Sequence, residues 1–375
     1  MKPKMIFHPI ILFSIFTLLT NCTDEIIKEV EVEKTYSWNQ DSSFFYNYKL
    51  QMNSYANDKV LFTIGPNALT KIGDNGDPFY GDGMLHYSLS FDYQIQYKLP
   101  IYEQLFAGFI NNGLIQIAST KNPILNGSSL WINFNKLDPY FNSFEFPRAY
   151  RSNAMVINEN LQCLIPFSHY NPEDPLHPYW LLKFMVVDCE IKPDLRYAYV
   201  DSLKCEEVAY HLPDIKYEPM VRSLHTFDDY FIVSCNSTYR VGEDLELTKI
   251  LNTSLLKVFR HKDLLYGLGM DSKLYTSDSD ANTWQEYGSV DGQLTMLNYF
   301  NIDGEILGTY NSQIFHLMIN EDEINIKELD NDGLVGHQIT SMSLYNDYIY
   351  LTTYSGVFKR SYDELFTYKE LEETE

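Results

Sequence analysis

The chain has 375 residues, ample for one large core, and 45% hydrophobic content excludes wholesale disorder. Its 28 basic and 51 acidic residues leave a formal net charge of −23, which repels phosphodiesters and so excludes nucleic acid as a partner. Aromatic residues make up 15%, led by 30 Tyr and 23 Phe, and they favour strands.

Lys2 and Lys4 precede an apolar run from Ile10 to Thr20. The run is shorter than the roughly 20 residues of a spanning helix and has the dimensions of a secretory signal. It leads into "LTNC", ending at Cys22. A cysteine so placed resembles the lipobox of bacterial lipoproteins, although Asn21 stands where that family has a small residue. The resemblance implies removal of residues 1–21 and acylation of Cys22, palmitate included, which holds the protein at the outer membrane. Residues 22–40 are mostly acidic and read as a tether. Acidic residues directly after such a cysteine resemble the surface-export signals of Bacteroidota lipoproteins and imply a cell-surface location. A solvated linker on the periplasmic face is the alternative. Residues 41–375 then form a single domain.

Strand–turn–strand patterns follow at 58–74, 103–119 and 153–168. Between them, "GDNGDPFYGDGMLHY" (73–87) sets Asp74, Asp77 and Asp82 among glycines. Such a loop offers oxygen ligands to calcium, but its spacing is not that of an EF-hand, and a cluster of turns accounts for it equally. No other cofactor is expected. The next excursion, "SHYNPEDPLHPYWLL" (168–182), holds His169, Tyr170, His177, Tyr179 and Trp180 beside three prolines. Prolines stiffen a loop, and flat aromatic faces stack on sugars or anchor a protein partner. These five residues are the candidate ligand contacts. A metal at His169 and His177 would need a third ligand, and Cys163, Cys189, Cys205 and Cys235 show no metal-binding spacing. Cys189 and Cys205 flank a segment that could pair on itself, which leaves either a bridge between them or two buried thiols.

After residue 219 the chain repeats. Asp229, Asp263, Asp303 and Asp347 each sit at the first turn of a unit, 34, 40 and 44 residues apart, and each unit holds four short apolar or alternating runs. Four strands per roughly 40 residues is the period of a propeller blade. The expected fold is therefore all-β, a β-propeller of four-stranded blades, about seven, with six to eight compatible. The most apolar runs, "DYFIVSC" and "DYIYLTTYS", are expected to be inner strands.

One unit contains "TSDSDANTWQEY" (276–287). Ser277, Thr283 and Trp284 match the S-x-D-x-G-x-T-W Asp-box (BNR repeat) of sialidase-like propellers, while Ser279 and Ala281 replace its aspartate and glycine. The resemblance implies a turn between third and fourth strands, with Trp284 as a structural anchor away from any active site. It carries over architecture only. Sialidases clamp the substrate carboxylate with three arginines, whereas this chain has seven arginines in all and none before Arg148. No catalytic residue can be named. The leading expectation is a non-catalytic envelope module for a protein or glycan. A glycoside hydrolase or lyase with an unrecognised site, and an accessory lipoprotein of outer-membrane assembly, are the alternatives.

Overall fold

The computed structural model describes residues 35–44, 53–58, 60–64, 68–72, 78–82, 101–102, 105–111, 114–119, 129–133, 136, 155–171, 179–193, 198–210, 221–242, 246–290, 292–320 and 324–369. The signal-like run, Cys22, the tether up to residue 34, Asp74, Asp77 and His177 lie outside these residues. Among the described residues no helix is long and apolar enough to cross a membrane.

The protein is an all-β propeller. Strand β1 (Asn39–Gln40) comes first and joins the last sheet. Sheet 1 holds β2 (Asn53–Asn57), β3 (Val60–Ile64), β4 (Ala68–Ile72) and β5 (Pro78–Asp82). Sheet 2 holds β6 (Ile101–Tyr102), β7 (Leu105–Asn111), β8 (Leu114–Ser119) and β9 (Ser129–Asn133). Sheet 3 holds β10 (Val156–Ile157), β11 (Gln162–Asn171), β12 (Tyr179–Pro193) and β13 (Ala198–Tyr210). Sheet 4 holds β14 (Ser223–Phe227), β15 (Tyr230–Ser234), β16 (Thr238–Val241) and β17 (Leu247–Leu251). Sheet 5 holds β18 (Leu255–His261), β19 (Leu264–Gly269), β20 (Lys273–Asp278) and β21 (Trp284–Ser289). Sheet 6 holds β22 (Asn298–Ile302), β23 (Glu305–Tyr310), β24 (Gln313–Ile319) and β25 (Ile324–Glu328). Sheet 7 holds β26 (Ile339–Tyr345), β27 (Tyr348–Thr353), β28 (Gly356–Ser361) and, on its outer edge, β1.

Every sheet is an antiparallel meander, and first strands contact first strands: β26 with β2, β2 with β6, β10 with β14, β14 with β18, β18 with β22 and β22 with β26. The first strands are therefore the inner ones. This corrects the expectation for the most apolar runs. "DYFIVSC" and "DYIYLTTYS" contain β15 and β27, which are second strands. A second strand is paired on both edges and covered on both faces, so it has the greatest need of apolar side chains. All five residues of β15 are buried.

The predicted turn positions hold. β22 and β23 join through Asp303 and Gly304 at φ 52° and 84°, β26 and β27 through Asn346 and Asp347 at φ 47° and 62°. Two positive φ values are the signature of the tight hairpin turn that matches strand twist, and Asn, Asp and Gly tolerate them. The core is divided among sheet interfaces. One cluster joins Ile117 and Ile132 to sheets 3 and 4, a second packs Ile232 of sheet 4 on Leu255 and Trp284 of sheet 5, and a third packs Leu307 of sheet 6 on Leu351 of sheet 7.

Residues 37–40, which the sequence assigns to the tether, belong to the domain. Asn39 and Gln40 pair with Lys359 and Phe358. Trp38 is 1% exposed, its indole donating to Asp330 O at 3.0 Å and its amide to Asp332 O at 3.0 Å. Buried Asp41 takes the Lys359 ammonium at 2.9 Å. Gly356, at φ 149°, leaves the space that the Gln40 amide occupies; a Cβ there would collide with it.

Candidate functional site

Two surfaces follow from the meander: the wall formed by the inner strands, and the rims where strands turn. The wall carries an open cavity of about 400 Å³ between β2, β22 and β26. Its polar lining includes Ser54, Tyr55, Asn301, Asp303, Ser341 and Ser343, with Phe300 and Met342 supplying apolar surface. Ser54 and Ser343 meet through their hydroxyls at 2.8 Å and stitch sheets 1 and 7 together. Asp303 is the one carboxylate of this lining, and it accepts from the Tyr362 hydroxyl at 3.2 Å. Among the described residues no group of three His, Cys, Asp or Glu could hold a metal.

The rim with the first-to-second-strand turns is stitched between sheets. Arg260 holds the Asp228 carboxylate with two bonds of 2.8 and 2.6 Å, His261 Nδ1 lies 3.1 Å from Gly304 O, and Asn301 donates to Arg260 O at 3.1 Å. The Arg260 guanidinium holds the Asp228 carboxyl below its usual range. Of the recurring turn aspartates, Asp303 takes such a contact from sheet 7 through the Tyr362 hydroxyl, while at the sheet 4 turn the latch uses Asp228, the neighbour of Asp229. Two large apolar residues are exposed beside these turns, Leu264 and Tyr348, and the Lys359 ammonium covers the Tyr348 ring at 5.7 Å.

The opposite rim carries the second-to-third-strand turns and the links between sheets. Four large apolar residues are exposed there: Met270 (53%), Met296 (63%), Tyr310 (43%) and Val335 (76%). Met270 follows β19 and Tyr310 ends β23, while Met296 and Val335 lie in the links that lead into β22 and β26. Turns and links adjoin. Val290 N donates to Ser272 O, Ile339 N to Asn311 O, and Asn331 Nδ2 to Ser312 O. Met270 and Met296 therefore belong to one tied turn-and-link pair, Tyr310 and Val335 to the next. Sequence reasoning passed over these four. They are isolated apolar residues in polar turns, and only their exposure marks them.

The residues singled out from the aromatic excursion fall on a ladder rather than a loop. His169 and Tyr170 lie in β11 opposite Leu181 and Trp180, and Tyr179 lies in β12 opposite Asn171. The three prolines and His177 occupy residues 172–178, outside the described residues. The predicted loop thus begins later than 168, because β11 runs on to Asn171. Asp82, of the glycine-rich excursion, ends β5.

Residues 276–287 span the turn between the third and fourth strands of sheet 5. Ser277 lies one residue before the end of the third strand and its hydroxyl donates to Thr283 O at 2.8 Å; Trp284 opens the fourth and its indole donates to Ala281 O at 3.2 Å. Ala281 has φ 56°, the left-handed conformation for which the motif has glycine. Sheet 4 grips the turn from outside: the Tyr230 hydroxyl donates to Ser279 O and Arg240 Nε to Asp280 O at 2.9 Å, with the guanidinium over the Tyr230 ring. Three of the arginines are thus committed to structure: Arg240 here, Arg260 on Asp228, and Arg360 between Asp330 and the Trp38 ring.

Cys189 and Cys205 do not face each other. Cys189 lies opposite Ser202 and Cys205 opposite Val187, with a register shift between Asp188 and Cys189. The Cys189 thiol donates to Val187 O at 3.7 Å, so of the two alternatives it is the buried thiol. Burial pushes the Cys235 thiol up to about 12 and that of Cys163 well above its usual value, which keeps both unreactive.

No family model and no curated protein matches the chain. Solved structures resemble it at the level of fold. PorZ, an essential surface component of the type-IX secretion system of Porphyromonas gingivalis, aligns at 10% identity and TM-score 0.44 over 90% of this chain. The chain spans 40% of PorZ. The extracellular domain of BT4673 from B. thetaiotaomicron aligns at 12% identity and TM-score 0.44, with 90% of this chain and 44% of that one covered. BamB from Moraxella catarrhalis aligns at 9% identity and TM-score 0.41, with 87% and 98% covered.

Proposed function

We propose that this protein is a non-catalytic binding module of the bacterial envelope, a closed propeller of seven blades that takes a protein partner on the rim of second-to-third-strand turns. The observation that carries this reading is the exposure of Met270, Met296, Tyr310 and Val335 on that rim. Exposed methionine and tyrosine on successive turns suit a protein surface, since flexible thioethers adapt their shape to a partner. The net charge of −23 adds long-range attraction for a partner of basic character. Acylation at Cys22 after removal of residues 1–21 would hold the module at the outer membrane, on the cell surface in the orientation favoured here.

The test is capture from native envelopes by the full-length tagged chain, followed by mass spectrometry. A specific membrane protein should be enriched by the wild type and lost with Met296→Asp plus Val335→Asp, while melting temperature stays unchanged because both side chains already face water. Retention by that variant, with loss on replacing Tyr170, Tyr179 and Trp180 by Ala, would move the site to the β11–β12 hairpin. Equal recovery with all variants would overturn the proposal.

A further inference from the structure

The inner strands of sheets 4, 5 and 6 carry a cation that no rim function uses. Their mutual register is fixed by the bonds between them. Ser223 bonds Leu255 and Arg260 bonds Asp228, each pair separated by 32 residues. Lys257 bonds Asn298 and Asn301 bonds Arg260, each separated by 41. The first offset puts His225 level with Lys257, and the second puts Lys257 level with Asn298. One rung of the inner wall therefore reads His, Lys, Asn across three adjacent sheets.

This rung is incomplete in its polar contacts. The Lys257 ammonium donates to Asn298 Oδ1 at 3.2 Å, and among the described residues no carboxylate pairs with it, although the chain has 51 Asp and Glu. His225 Nε2 is buried without a hydrogen-bond partner among the described residues, its ring against Phe227 at 6.5 Å. A buried polar nitrogen with nothing to bond raises the energy of the folded protein, and it lies beside a half-buried lysine. With its oxygen already accepting, Asn298 still has its amide hydrogens to donate.

We propose that His225, Lys257 and Asn298 form an anion-binding site on the inner wall, which takes the carboxylate of a small organic acid. One carboxylate oxygen would rest on the Lys257 ammonium and give His225 Nε2 a partner, and the other would accept from the Asn298 amide. A single negative charge balances the single lysine, whereas a phosphate dianion would bring a second, uncompensated charge to a partly desolvated place. Burial also lowers the Lys257 pKa, which makes its amine easier to deprotonate and acylate than that of a fully solvated lysine. This site is separate from the rim and stands or falls independently of the protein partner.

The experiment acetylates the full-length chain in detergent with an amine-directed reagent and compares Lys257 with exposed Lys273 by mass spectrometry. Lactate, acetate, phosphate and chloride are titrated at constant ionic strength. Lactate or acetate at ten times its dissociation constant should slow labelling of Lys257 by about tenfold and leave Lys273 unchanged. Chloride should do nothing. The same acids should raise the melting temperature of the wild type but not of Lys257→Gln. Should that variant not fold, Asn298→Ala, on an exposed side chain, must weaken protection instead. Unchanged labelling with every carboxylate overturns the site, and stronger protection by phosphate overturns its assignment to carboxylates.

Discussion

Trp284 shows how a residue can resemble part of a functional motif and serve the fold. Its indole donates to Ala281 O while its ring packs with Tyr230, Leu255 and Leu265 at the interface of sheets 4 and 5. Trp284→Ala should therefore cost about 3–5 kcal/mol, read by urea unfolding, without altering envelope capture by the protein that still folds. A loss of capture at unchanged stability would contradict a purely structural role. His225 makes a second residue-level prediction. Burial, with a smaller effect from Lys257, takes its pKa from 6.5 down to about 3, so the folded protein holds the ring neutral. Above pH 6.5 the ring is neutral in both states and contributes no pH dependence. As pH falls from 6.5 towards about 3 the unfolded chain binds a proton that the folded chain refuses, and stability drops by up to about 1.4 kcal/mol per pH unit. His225→Gln should make that decline shallower over this window. Parallel stability curves for the two proteins would refute the assignment.

At the scale of elements, legibility followed local chemistry. The hairpins at Asp303 and Asp347 were readable because their residue types suit positive φ, whereas the turn after Ser277 was read from its motif resemblance alone, since alanine at Ala281 is ill suited to φ 56°. The third and fourth strands of sheet 5 were readable from the same twelve residues. Strand β1 was not. Two polar residues have no periodicity to reveal them, and their partners Lys359 and Phe358 lie more than 300 residues away in the chain. The charged run before them made a linker the simpler reading. The inner strands were misassigned for a related reason, since apolarity measures how many sides of a strand are covered rather than its nearness to the axis. The corrected boundary is testable. A chain beginning at residue 41 lacks Trp38 and β1 and should melt well below one beginning at residue 37, by the several kcal/mol that a buried tryptophan and two ladder residues contribute. Equal melting temperatures would return residues 37–40 to the tether.

Across the whole molecule, the apolar core is shared out among the gaps between sheets, and each sheet depends on its two neighbours. The binding surfaces were the least legible level. The rung of His225, Lys257 and Asn298 draws one residue from each of three repeats, at spacings set by blade packing, and the rim draws single apolar residues from polar turns. Neither makes a motif in one dimension. The closing strand has a mechanical side as well. The chain enters the domain at Ser37, so under the proposed lipid anchor any tug between membrane and bound partner arrives first at Trp38 and the two-residue ladder behind it. Those are also the residues that fasten the outer edge of sheet 7. The leash is tied to the clasp, and the indole seated beneath Asp330 is the knot that keeps a pull on one from undoing the other.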